Sequence, residues 1–82
     1  MGKVGRVTHY FDRIGVAVIE LTDNLFIGDW VLFVRHGEPL FEQEVRSMQI
    51  KHRPIESAGP GDEVALKVDN EVKEGTEIFV AD

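Results

Sequence analysis

The 82-residue sequence contains no cysteine, so neither a disulfide framework nor a thiolate metal site can supply its stability. That absence fits a reducing compartment, and the cytoplasm is the expected location. No apolar run approaches the roughly 18 residues that cross a bilayer as a helix. The first residues, Met1 to Arg6, lead into alternating residues rather than the apolar stretch of a signal peptide, so no membrane association is expected. A Gly-x4-Gly-Lys-Ser/Thr loop is missing, which argues against nucleotide binding. The two serines, Ser47 and Ser57, stand outside any nucleophile-elbow context. His9, His36 and His52 are far apart in sequence, with no close pair to begin a metal site. The expectation is therefore a chain with no catalytic residues, no metal and no cofactor.

A sustained 3.6-residue apolar period is also lacking. Short alternating or apolar runs recur instead, each ended by a turn signal, which is the all-β pattern. The runs are Val4–Phe11, Ile14–Leu21, Trp30–Arg35, Leu40–His52, Val64–Val68 and Glu77–Ala81. Ile14–Leu21 is apolar on both parities, as in a strand covered on both faces. In Leu40–His52 the apolar phase changes between Val45 and Met48. This predicts a β-bulge at Arg46-Ser47, or a bend where the strand passes between two parts of a barrel. Six short strands in so small a chain predict a single closed six-stranded β-barrel over residues 1–82, since closure removes exposed edges.

Three turns share a pattern: Ile27-Gly28-Asp29, Pro60-Gly61-Asp62 and Glu74-Gly75-Thr76. Each sets a glycine, able to take positive φ, before a side chain that can bond nearby amides as the next strand begins. Their order, together with Ile14-Gly15-Val16, Leu25-Phe26-Ile27-Gly28-Asp29 and Ser47-Met48-Gln49-Ile50, resembles the second domain of elongation factor Tu and related translation GTPases. The likeness runs from about Val4 to Val80. Thr76 and Val68-Asp69 depart from the family pattern, the latter placing an anion where a cation is usual. The resemblance implies a translation-type barrel and a non-catalytic binding module. Its partners would be tRNA, rRNA, a ribosome-associated protein or another protein. The alternative is a protein-interaction or accessory scaffold domain unrelated to RNA, with self-association left open.

The net charge is −6 and lies in the C-terminal third: residues 54–82 hold eight acids against Lys67 and Lys73, whereas residues 1–53 balance seven against seven. Phosphate affinity rests on Lys and Arg, so an RNA or partner surface would have to be built from Arg46, Lys51, His52 and Arg53. Lys51 and Arg53 share a parity in an extended chain, and a bulge would be needed to bring Arg46 to their side. Tyr10 and Phe11, beside the Asp12-Arg13 turn, form a second candidate contact for a partner. Trp30, Phe33, Phe41 and Phe79 are expected mostly in the core.

Overall fold

The computed structural model describes residues 2–81. Its elements are strands joined by turns: β1 (Gly2–Phe11), β2 (Val16–Leu21), β3 (Leu25–Phe26), β4 (Trp30–Arg35), β5 (Glu38–Glu44), β6 (Met48–Ile50), β7 (Arg53–Ile55), β8 (Ser57–Ala58), β9 (Glu63–Lys67) and β10 (Glu77–Val80). Eight of them form one antiparallel sheet in the order β5-β4-β10-β1-β2-β9-β6-β7, while β3 pairs with β8. The protein is all-β, as the alternation predicts.

Period-2 patterning assigns the faces. On β2, Ala17, Ile19 and Leu21 are buried; on β4, Val31 and Phe33; on β9, Val64 and Leu66. These side chains meet in a single cluster. Phe33 stacks on Phe41 of the neighbouring β5, with ring centroids 4.5 Å apart. Trp30 departs from expectation: it occupies the outward parity of β4, is 48% exposed, and donates its indole N–H to Glu42. Phe79 is only half-buried.

The sheet curls because β1 is interrupted twice. Its register shifts between Lys3 and Gly5 against β10, and between Val7 and His9 against β2. Extra residues of this kind bend a strand and increase its twist. At the first bend the backbones come close: a Cβ on Gly5 would lie 2.5 Å from the carbonyl oxygen of Glu20.

The Gly-led turns form as the sequence requires. Gly28, Gly61 and Gly75 have φ of 95°, 89° and 90°. In each turn the residue after glycine donates its N–H to the carbonyl three residues earlier, at 3.0, 3.1 and 3.1 Å. Glycine at the third position with positive φ is the requirement of a type II turn. Asp29 and Asp62 close their turns further, accepting the Phe26 and Gly59 amides at 2.9 Å each.

Two expectations need correction. The run Leu40–His52 is not one bulged strand: it divides into β5 and β6, which lie far apart in the sheet, and Val45-Arg46-Ser47 bends the chain between them. The phase change marks that bend. The simple six-strand barrel is also too coarse, because ten strands occur and no ladder among the described residues joins the edge strands β5 and β7. Both edges carry residues that discourage further pairing, Pro39 with Glu38, Glu42 and Glu44 on β5, and Pro54 on β7.

Side chains tie β5 to the far part of the sheet. Gln43, 2% exposed, donates its amide to the Lys67 carbonyl at 2.9 Å and accepts the Asp69 N–H at 2.8 Å. Its amide group substitutes for a stretch of backbone ladder. Arg46 pairs with the Asp69 carboxylate beside this bridge.

Candidate interaction site

The four basic residues singled out in the sequence have different settings: an ion pair, a hairpin turn and an edge strand. Arg46 is committed to Asp69. Lys51 and His52 are the two central residues of the β6–β7 hairpin, with φ of 51° and 66° and Ile50 paired to Arg53 across them. Two successive positive φ values mark a type I′ turn. The extended-chain parity relating Lys51 to Arg53 is therefore lost. Arg53 stands exposed on the edge strand.

That turn uses residues ill-suited to it, since left-handed φ is strained for side chains other than Gly, Asn and Asp. Changing Lys51→Asn together with His52→Gly should raise stability by about 1 kcal/mol. The check is a higher midpoint with unchanged slope in urea unfolding.

Tyr10 and Phe11 also separate. Tyr10 packs against the core cluster, so its role as an exposed contact is corrected. Phe11 is 47% exposed on the outer face, its ring edge-on to that of His9 with centroids 4.3 Å apart.

Around Phe11 the sheet carries a groove that the sequence reading did not identify. Two cross-strand rows pass through this part of the sheet. One runs Phe11–Val16–Lys67 across β1, β2 and β9; the other runs His9–Val18–Ala65–Gln49 across β1, β2, β9 and β6. Ala65 is the smallest residue of its row, between Val18 and Gln49, and that difference in size hollows the surface. The groove has a volume of about 380 Å³; Phe11, Ile14 and Val16 line it on one side and Gln49 and His52 on the other. It continues along β9 toward Glu63 and Lys51.

The apolar residues on both parities of Ile14–Leu21 were the available signal. The inner parity fills the core. Val16 and Val18 on the outer parity remain half-buried, with nothing from the described residues laid over them, and Ile14 stands exposed in the β1–β2 turn rather than in a strand.

Among the described residues, no group of three or more His, Cys, Asp or Glu side chains assembles to hold a metal ion. No helix among them is long and apolar enough to cross a membrane.

No family model matches the chain. Over 78 residues it is 36% identical to an uncharacterized protease of Methanocaldococcus jannaschii, an alignment covering 95% of this chain and 19% of that protein. The chain thus spans 19% of the length of this curated relative. In structure it is similar to the C-terminal domain of a Geobacillus thermoleovorans protein described as a U32 peptidase. The TM-score is 0.90 at 19% identity, covering 99% of this chain and 93% of that one. The selenomethionine variant of the same domain gives 0.88 at 20% identity, covering 95% and 98%.

These likenesses overturn the translation-factor resemblance and the RNA-contacting module it implied. The physical reason lies in the motifs that carried it. Type II turns with Gly at the third position are what the backbone needs to enter these strands, and their chemistry says nothing about a ligand.

Proposed function

We propose that this chain is an accessory, non-catalytic domain of a U32-type peptidase, and that it docks through its grooved sheet face onto the protein that carries the chemistry. One observation carries the reading: nearly the whole chain aligns with a protease relative, yet accounts for only 19% of that relative. The rest of that protein lies outside the likeness. A fold of this size, matched almost end to end by a solved C-terminal domain, suits an appended unit better than a complete protease.

The groove supports the docking role. Exposed apolar surface gathered in a depression marks an interaction site more often than apolar residues scattered singly. We read the coiled sheet as a barrel whose seam is bridged by Gln43 and the Arg46–Asp69 pair instead of by a ladder. A rigid body of this kind presents the groove without ordering cost. The cytoplasm remains our proposed location.

The test is calorimetric titration of this chain into a U32-type peptidase from the same source that lacks a domain of this fold, followed by peptide-hydrolysis assays on both. Saturable binding, with hydrolysis confined to the peptidase chain, is the expected result. Hydrolysis by this chain alone, or no binding at 100 µM of each component, would defeat the reading.

A further inference from the structure

We propose that the groove over Ala65 receives an extended acidic–apolar segment of the peptidase partner, an apolar side chain seated against Phe11 and Val16 and the adjacent carboxylate on Lys67. This rests on the docking reading above and specifies its occupant. The argument is charge complementarity. The chain holds fifteen acids and nine Lys or Arg residues. Yet around Phe11 and Val16 the ionisable side chains lining the groove are Lys67 and His52, and the carboxylate of Glu63 enters only at its far end.

Lys67 is held in place. Its ammonium donates to the Ile14 carbonyl at 2.5 Å, so the side chain lies against the β1–β2 turn. Gly15 leaves room for it: a Cβ there would come within 3.3 Å of the nitrogen. An ammonium has three N–H donors, and two remain for a ligand. Among the described residues Lys67 has no ion-pair partner, unlike Lys3, Arg6 and Arg46. Its charge is therefore available at the groove wall.

The groove is also polar along its length. Lys67, Ala65 and Glu63 share the outer parity of β9, and four residues of strand separate the two charges by roughly 13 Å. Glu63 adds a carboxylate at its own end, beside Lys51 and opposite a Glu20 already paired with Arg6, whereas no carboxylate lines the Lys67 end. An occupant should place its acid at the Lys67 end. Screening at physiological salt limits distant charges to about 8 Å, so Lys67 governs its own end despite the chain's net charge.

The Trp30 side of the sheet is apolar too, but Trp30 already has its N–H satisfied by Glu42, and Lys3, in the row that crosses Phe79, Leu32 and Glu42, is already paired with Glu77.

The experiment uses two peptides, acetyl-Gly-Asp-Leu-Leu-Gly-amide and its Lys-for-Asp counterpart, titrated into the isotope-labelled 82-residue chain by NMR. The acidic peptide should bind roughly 5–10-fold more tightly, the ratio expected when an exposed ion pair replaces a like-charge contact. The shifted amides should centre on Val16, Ala65 and Gln49. Lys67→Met should remove the preference and Lys67→Glu should reverse it, each with the fold verified from the unperturbed core resonances. Ala65→Tyr should fill the groove and abolish binding of both peptides.

Equal affinities for the two peptides, shifts centred on Trp30, no shifts at several millimolar, or undiminished binding by Ala65→Tyr would overturn the proposal. So would concentration-dependent dimerisation, by sedimentation, that Ala65→Tyr removes, since a second copy would then occupy the groove. The two readings fail separately. Peptide selectivity without peptidase binding would remove the accessory role, and peptidase binding untouched by Ala65→Tyr would remove the groove as its route.

Discussion

Gly5→Ala will unfold at a much lower urea concentration than the unaltered chain. The added methyl group would lie 2.5 Å from the Glu20 carbonyl oxygen and 3.0 Å from Cγ2 of Ile19. Neither neighbour can retreat easily. The carbonyl belongs to the backbone of β2, held between β1 and β9, and Ile19 is fully buried. Forced overpacking typically costs about 1–3 kcal/mol, and more where the obstacle is main chain. A domain of this length has roughly 4–12 kcal/mol in total. Gly5→Val should therefore fail to fold to a useful extent. The check is the urea midpoint, with Gly2→Ala as the control, because nothing lies within 4 Å of a Cβ at that position. Equal midpoints for Gly2→Ala and Gly5→Ala would show that β1 and β2 do not approach as described.

Gln43→Leu should produce the second large loss. The volume is nearly conserved, so little cavity energy is involved. The substitution instead strands the Lys67 carbonyl and the Asp69 N–H, both bonded to the Gln43 amide. Lys67 and Asp69 are exposed residues and both hydrogen bonds are part-buried, so water takes up part of the loss and a total of about 1–3 kcal/mol is expected. Amide exchange adds a reading that a general packing defect would not reproduce: protection of the Asp69 N–H should fall before that of the β2–β9 ladder. Gln43→Glu should lie between, since its carboxylate can still accept from Asp69 but can no longer donate to Lys67 above its pKa. A Gln43→Leu protein as stable as the original would mean that the Gln43 bonds to Lys67 and Asp69 add nothing to stability.

Most strand positions were legible because period 2 is a local signal. Trp30–Arg35 matches β4 residue for residue, and the alternation of Val64 and Leu66 matches β9. The three Gly-led turns were legible for a related reason, since a positive φ selects glycine wherever it falls. The same local character made these turns misleading as evidence of family. The phase change near Arg46 announced an irregularity, and the alternation could not tell a bulge from a bend, because both shift parity by the same amount.

Composition and period by themselves determined an all-β chain with one core, tight glycine-led turns and its negative charge in the last third. These follow from side-chain size, φ preference and residue count, which need no knowledge of neighbours in space. Tertiary structure alone decided that Arg46 faces Asp69, that Lys51 and His52 are spent on a turn, and that Gln43 bonds the backbone of Lys67 and Asp69. It also placed Ala65 between Val18 and Gln49, and Phe11 beside Val16 and Lys67. Such rows are set by strand order and register, which put Phe11 and Lys67, 56 positions apart in the chain, into one row. A surface that depends on those pairings exists only once the sheet has formed.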